Sequence, residues 1–587
     1  MRGTGALRIM VLLGVLRAAA RGLPRGAAAA RPVLSVPGWP KGRGSTVVCH
    51  AGAGSGVLQS NSTAAAAAVA LEARPGGAVS DAAFAAASVQ KPERDPREFE
   101  AVVLENGLRV LLISDPEADM AAASVNVAVG HFGDPWHMPG LAHFHEHMLF
   151  LGTKDFPEEG HYERYLAESG GGSNAWTGTE DTNYYFHASE ASFPGALEMF
   201  SAFFRSPLLS EDATEREMKA VDSEHKNNLP ADQWRGFQLL KSLADPSHEL
   251  AKFGTGHYET LTSRAAGEEP GPDVEARLDP RVVDACFPKQ GRDAVAELKA
   301  FNARHYHAKN LKLAVVSRRP LKEMKGLVEQ HFSAVPAEPP AELKATNAAA
   351  NGFFPFAERL ARRVDVVPVR EMRRVEILYP APPVPGWRES HVYRLFSHVL
   401  GHEGSHSLHA ALRRKGWARS FSAGYALSIQ DCIAFKVSAE LTKEGEAHLD
   451  EVIDLMFRWV ARARELDVAT LGRIYEEEQT LNQMSFDWTE RSAPEDVASG
   501  VANNLEYYPP DLVLLRPRVA AFFDEAGAKK IQAGLAPEHA VLVVTRKPSG
   551  AGAEDASAAA AEEEEKRRVF PLEIPLKQVI SMLATVL

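Results

Sequence analysis

Residues His143, Glu146 and His147 stand in the pattern His-x-x-Glu-His, the inverse of the commoner zinc signature His-Glu-x-x-His. Two histidines four apart on a helix leave one face a turn apart, so both imidazoles can bind a single tetrahedral zinc ion. Glu146 lies on that face as well. A carboxylate there reaches the fourth coordination position and can take a proton from water, the work of a general base in metal-assisted peptide hydrolysis. His145 is two residues from each histidine and points the other way, as a packed or surface residue would. Read forward, His145-Glu146 begins His-Glu-x-x-His but meets Leu149 where the second histidine is required.

A catalytic zinc usually takes three protein ligands, the third from a separate element. Glu215 to His225 reads as a helix on which Glu217 and Glu224 share a face, with Val221 between them. A solvated acidic helix face is the other reading of that segment. Gly170-Gly171-Gly172 leads into the strand-like run Ser173 to Thr177. Glycines permit close backbone approach, and an exposed edge strand behind them can pair with an extended peptide; an ordinary hairpin entry fits the same residues.

Several ordered runs go together: Gly140 to Thr153, Ser173-Asn-Ala-Trp-Thr177, Asp181-Thr-Asn-Tyr-Tyr-Phe186, Glu217 to Asn227, Lys252-Phe-Gly-Thr-Gly256 and Gly401-His-Glu-Gly404. In these the chain resembles the pitrilysin family of inverted zinc metallopeptidases. The resemblance implies one Zn2+ per chain on His143, His147 and Glu224, with Glu146 as base. It implies that Glu217 orients a ligand histidine and raises its basicity. Asn174 and Ala175 would hold the substrate main chain beside the zinc. His398, Gly401 and Glu403 would form a distant anchor for the substrate N-terminus, Glu403 pairing with the ammonium group. Phe421, Ala423 and Tyr425 occupy the strand matching that anchor but depart from the family's residues. Without the resemblance, His398, His402, Glu403, His406 and His409 suggest a second metal site; Gly401 and Gly404 interrupt any helix there, and a loop is expected instead.

At 587 residues the chain exceeds one hydrophobic core. The expected fold is α+β: two tandem related domains, each an antiparallel-rich sheet packed with helices. The first copy has strands within Ala101 to Ile113 and Ala122 to Val129, the motif helix, a strand Asn183 to His187 and a helix Gly195 to Phe204. The second has strands near Arg374 to Tyr379 and Cys432 to Ser438, with helices Tyr393 to Leu400 and Glu444 to Ala463. Tyr185 and Phe435 take equivalent places, which marks an internal repeat. The second copy lacks His-x-x-Glu-His. The expected boundaries are a leader over 1–92, a catalytic domain over 93–337, a linker over 338–360, a non-catalytic repeat over 361–548, and a low-complexity segment and tail over 549–587. Ala265 to Arg277 reads as a surface insertion and Ser549 to Lys566 as a solvated linker.

Charge and cysteine usage narrow the classes further. The chain carries a formal −12; its first 71 residues hold eight basic residues and no acidic one, so the remainder carries −20. An acidic body excludes the basic footprint of a nucleic-acid binder and suits peptide substrates. The Arg- and Ala-rich lead resembles a plastid or mitochondrial transit peptide, with the secretory pathway or the cytoplasm as alternatives. The apolar run Ile9 to Leu16 is too short to span a bilayer, so no stable membrane insertion is expected. Cys49, Cys286 and Cys432 are too scattered for a disulfide framework or a metal cluster, which leaves zinc to His and Glu.

The implied function is a zinc-dependent metalloendopeptidase for short or partly unfolded peptides. The alternatives are an organellar presequence-processing peptidase of the same superfamily and a non-catalytic peptide-binding or scaffold subunit. Long members of the family join two such halves into a closed chamber, whose second half adds an arginine and a tyrosine near the scissile bond. No counterpart follows Leu587, so the resemblance implies a second half-chain subunit, a homodimer or a truncated sequence.

Overall fold

Apolar runs without polar alternation mark strands covered on both faces, and in the first repeat two strands are buried throughout: β3 (Ala121–Val127) and β6 (Leu311–Ser317). They form the middle of a six-stranded sheet with β1 (Glu98–Val103), β2 (Arg109–Ser114), β4 (Gly172–Thr177) and β5 (Thr182–Ala188), in the order β1-β2-β6-β3-β5-β4. Only β2 and β6 run parallel; the other neighbours are antiparallel. A second sheet contains β7 (Arg362–Val366), β8 (Arg374–Ala381), β9 (Ala418–Ser428), β10 (Ile433–Leu441), β11 (Val541–Thr545) and β12 (Glu573–Pro575), in the order β12-β7-β11-β8-β10-β9. Its one parallel pair is β7 and β11. Place for place and direction for direction, the sheets match. They differ in the source of the outer strand, since β1 precedes its neighbour in the chain and β12 follows β11. The α+β expectation holds.

This computed structural model describes residues 79–265, 267–269, 291–343, 354–357, 360–548 and 573–575. All of them belong to the unit Cys49 to Leu587. The basic leader before Glu72, Cys49, Cys286, most of Ala265 to Arg277 and the segment Ser549 to Lys566 lie outside the described residues. Among the described residues no helix is long and apolar enough to cross a membrane, and Cys432 is buried as a free thiol.

The principal helices are α1 (Leu141–Leu149), α2 (Phe193–Arg205), α3 (Glu211–Asn228), α4 (Asp232–Ser242), α5 (Leu321–Phe332), α6 (Val392–Gly401), α7 (Leu449–Arg464) and α8 (Pro494–Asn504). One face of the first sheet packs on α1, α2 and α5 through Phe144, Phe186, Phe200 and Phe332. The second sheet packs in the same manner through Phe396, Phe435, Val452 and Met456. The opposite faces are covered by exchange. Ala498, Val501 and Ala502 of α8 lie on Ala122, Ala314 and Val316 of the first sheet. Leu240 of α4, with Leu243 and Ala244 just beyond it, packs with Val364, Leu378 and Val543 of the second.

Two local expectations need correction. Phe435 faces α6 and α7, and its counterparts facing helices in β5 are Tyr184 and Phe186. Tyr185 stands opposite Ser124 on the reverse face, so the strands correspond but the residue match is one position out. The run Glu444 to Ala463 is not one helix: it breaks at His448, whose ring stacks on Trp417 at 4.4 Å.

Under α8 the first sheet carries a polar layer. Ser124 and Ser499 each donate to Asn183 Oδ1 at 3.0 Å, and Asn183 Nδ2 donates to Asn126 Oδ1 at 3.1 Å. Asn503 Nδ2 reaches both Asn126 Oδ1 and the carboxylate of Asp181. Burial, with Glu180 and Glu506 nearby, pushes Asp181 up to about 7. Such a layer stabilises only while every member stays partnered. Replacing Asn503 by Leu should therefore cost about 1–3 kcal/mol, because two buried acceptors lose a donor. Urea unfolding measures this, and an unchanged midpoint would show that the layer does not hold α8 down.

Candidate active site

The motif helix α1 starts without a capping side chain of its own: Gly140 is in the left-handed region at φ 94°. Asp134 supplies the cap from six residues upstream, its two carboxylate oxygens accepting from Gly140 N at 2.6 Å and Ala142 N at 2.7 Å. Burial pushes the Asp134 carboxyl up to about 7 against those bonds and the nearby lysines. Lys252 pins the same loop by donating to the carbonyls of Phe132 at 2.9 Å and Asp134 at 2.5 Å. A side chain on Gly140 would meet the Cα of Gly256 at 2.2 Å, so only glycine permits this backbone crossing.

That crossing brings the Thr255 carbonyl to 2.7 Å from His143 Nδ1. His147 Nδ1 lies 2.9 Å from Glu217 Oε1. With both Nδ1 positions donating, each imidazole turns Nε2 toward a common point. Glu224, two turns beyond Glu217 on α3, approaches it from the facing helix: Oε2 is 3.8 Å from His143 Nε2 and 3.5 Å from His147 Nε2. The three ligand atoms lie within 4.8 Å of one another. Zinc bonds of about 2.0–2.1 Å place tetrahedral ligand atoms about 3.3–3.5 Å apart, so a small contraction closes the set. Donor type, spacing and the supported Nδ1 atoms all fit zinc.

Electrostatics keep this cluster coupled. Burial opposes a charge on His147, but hydrogen bonds to Glu217 and Glu224 outweigh it and push the imidazole up to about 10. The same bond to His147 holds Glu224 below the usual carboxylate range. Glu146 is buried beside them; burial raises its carboxyl, opposed by His143, Thr177 and His147. Thr177 donates its hydroxyl to Glu146 Oε2 at 2.5 Å. His145 packs between Phe301 and Tyr306 with its Nε2 at 3.1 Å from Asn302 Nδ2, and burial lowers it to about 3. It is a neutral core residue turned away from the ligands.

The remaining expected site residues fall in two places. Asn174 and Ala175 are on β4, the edge strand of the first sheet, opposite Tyr185 and Tyr184. Asn174 is exposed, and Ala175 is half-buried on the core. Ahead of them, a side chain on Gly171 would meet the His187 carbonyl at 2.1 Å. His398 and Gly401 lie in the last turn of α6, which ends at Gly401; the expected loop follows it, from His402 to Ser407. Glu403 is exposed there, 3.8 Å from His409 Nδ1. Gly401 packs beside Ala423 of β9, the edge strand of the second sheet.

Three contributors were not assigned from sequence: Asp134, Thr177 and Thr255. The last two sit inside quoted motifs, and an Asp just ahead of a helix is a usable capping signal. A backbone carbonyl such as that of Thr255 leaves no residue-type signature.

Residues 109–247 match the family described as Insulinase (Peptidase family M16), and residues 294–470 match the Peptidase M16 inactive domain. The chain belongs to the M16, or pitrilysin, family. It is 36% identical over 434 residues to the insulin-degrading enzyme of Drosophila melanogaster, covering 73% of this chain and 40% of that protein. It is 34% identical over 454 residues to insulin-degrading enzyme-like 1, peroxisomal, of Arabidopsis thaliana, covering 77% of this chain and 44% of the relative. The chain thus spans less than half the length of these relatives. The crystal structure of pitrilysin superposes with a TM-score of 0.67 at 24% identity, over 78% of this chain and 46% of pitrilysin.

Zinc held by His143, His147 and Glu224 would carry a proton cost that fixes its pH dependence. His147 is charged below about 10, and a metal on Nε2 must displace that proton. Apparent zinc affinity should therefore rise with pH through the neutral range, and close to one proton should leave per zinc at about pH 8, where an ordinary histidine of about 6.5 would release almost none. Calorimetry in buffers of different ionisation heat reads this directly. Glu217→Gln should reduce the release and weaken zinc roughly 10- to 100-fold, with Glu224→Gln weakening it more. Negligible release at that pH would contradict the coupling.

Proposed function

We propose that this chain is the catalytic half of a zinc-dependent metalloendopeptidase acting on short or partly unfolded peptides. The observation carrying the reading is the convergence of His143, His147 and Glu224 from two helices, with the buried Glu146 beside them. When bound by those three residues, zinc would polarise a peptide carbonyl and acidify water. Glu146 takes the proton of the attacking water and passes it to the departing amine nitrogen. Glu217 holds the His147 ring through Nδ1, and the Thr255 carbonyl holds His143. The substrate adds to the open edge of β4 as a further strand, its main chain meeting Asn174 and Ala175. A second contact forms where His398, Gly401 and Glu403 meet the peptide's N-terminal ammonium group.

Two features outside the site complete the reading. The match covers only 40% and 44% of the relatives, which supports a complementary half acting with this one, from a second subunit or a second copy. The acid-free, arginine-rich lead supports delivery to a plastid or mitochondrion.

Glu146→Gln should retain zinc at parental stoichiometry and abolish hydrolysis, because an amide cannot accept the water proton. Metal analysis and a quenched fluorescent peptide panel test this together, and cleavage near the parental rate would exclude Glu146 as base. Glu403→Gln should raise KM for peptides with a free amine by the equivalent of about 1–3 kcal/mol and leave kcat nearly unchanged. N-acetylated peptides should not distinguish that variant from the parent. Equal loss with both peptide forms would remove the anchor assignment.

A further inference from the structure

The hydroxyl of Thr177 touches the one group in the site that must hold and release a proton, yet Thr177 neither ligates metal nor belongs to the motif helix. It is the last residue of β4, opposite Thr182, and its Oγ1 donates to Glu146 Oε2 at 2.5 Å. A carboxylate with one oxygen fixed in this way has its rotation about the last side-chain bond restricted, which leaves the second oxygen to accept from water in a defined direction.

The placement of that hydroxyl is set by the turn that follows it. Gly178 N donates to Asp181 O at 2.8 Å, closing the turn. His131 N and Phe132 N donate to the carbonyls of Gly178 and Thr179, each at 3.0 Å. Two further donors come from the second repeat: Gln430 N reaches Glu180 Oε1 at 2.9 Å, and Asn503 Nδ2 reaches the Asp181 carboxylate. The turn is thus gripped by both repeats, and Thr177 is its first fixed neighbour toward the base.

We propose that Thr177 is a positioning residue for Glu146, and that the non-catalytic repeat contributes to catalysis by holding the Gly178–Asp181 turn that places it. This rests on the peptidase reading above for its consequence, but the contact itself is tested separately. Thr177→Val keeps the shape of the side chain and removes the donor; Thr177→Ser keeps the donor.

The full-length chain loaded with zinc should be compared as parent, Val and Ser forms. The Val form should keep zinc content and KM while kcat falls roughly 10- to 100-fold, the range for losing a hydrogen bond to a charged group. The Ser form should restore kcat. In a Glu146→Gln background the Val change should have no further effect, because residues acting as a unit do not add. Unchanged kcat in the Val form, failure of Ser to rescue, or a loss confined to KM would each overturn the proposal. Crystals of the zinc-loaded Val and Ser forms supply the arm that does not depend on activity. Glu146 should lose its single side-chain conformation in Val and keep it in Ser, and one identical conformation in both would also overturn it. If the parent cleaves no peptide in the panel, the peptidase reading fails, while the crystals still decide whether Thr177 positions Glu146.

Discussion

A helix of nine residues cannot hold itself rigid, and the chemistry of this chain depends on one that short. Every part of α1 that matters is fixed from outside it. Asp134 caps its first amides, Thr255 and Glu217 set its two imidazoles, and Thr177 takes one oxygen of its carboxylate. These partners lie 6 to 112 residues away in sequence. The helix provides the spacing of three side chains; β4, α3 and the loops carrying Asp134 and Thr255 provide their orientation. The Gly140–Gly256 crossing is the tightest of these constraints, because a single methyl group at Gly140 would separate the segment carrying Thr255 from the helix it serves.

The exchange of helices between the repeats gives the second, motif-less copy a physical role. Each sheet buries one face on its own helices and lends the other to a helix from its twin. Neither copy could bury both faces of its sheet alone. The central strands accordingly read as largely apolar runs, interrupted by the layer of Ser124, Asn126, Asn183 and Asp181 that Ser499 and Asn503 partner, and by Lys312 of β6, which pairs with Glu506 at 3.4 Å. A layer of this kind fixes the register of α8 more sharply than an apolar contact would, since sliding by one residue leaves buried acceptors unpartnered.

What could be read from sequence follows from how local the determining interaction is. The 3.6-residue period puts His143, Glu146 and His147 on one face whatever surrounds them, and the same rule aligns Glu217 with Glu224 on α3. Which of those two glutamates faces the imidazole Nε2 atoms was legible only through resemblance, because both satisfy the period. The doubling of the sheet is visible in the order of elements, but Tyr184, Tyr185 and Phe186 are consecutive aromatics, so the sequence does not show which of them matches Phe435. In the folded strand burial alternates from Tyr184 to Ala188 and leaves Tyr185 on the less buried face. The helix α6 ends at Gly401, where the glycines Gly401 and Gly404 lead one to expect a loop.

The two open sheet edges complete the logic of the architecture. β4 and β9 hold the same place in their sheets, each at the outer end of the order and each beside a helix that carries candidate site residues, α1 in one copy and α6 in the other. An edge strand left unpaired is a liability in a protein that does not use it. Among the described residues the duplicated fold leaves that edge unpaired twice. In the first copy the helix behind it carries His143, Glu146 and His147, and in the second it ends beside an exposed glutamate. The two copies thus share one arrangement of edge strand and helix, and differ in that only the helix beside β4 carries the His-x-x-Glu-His set.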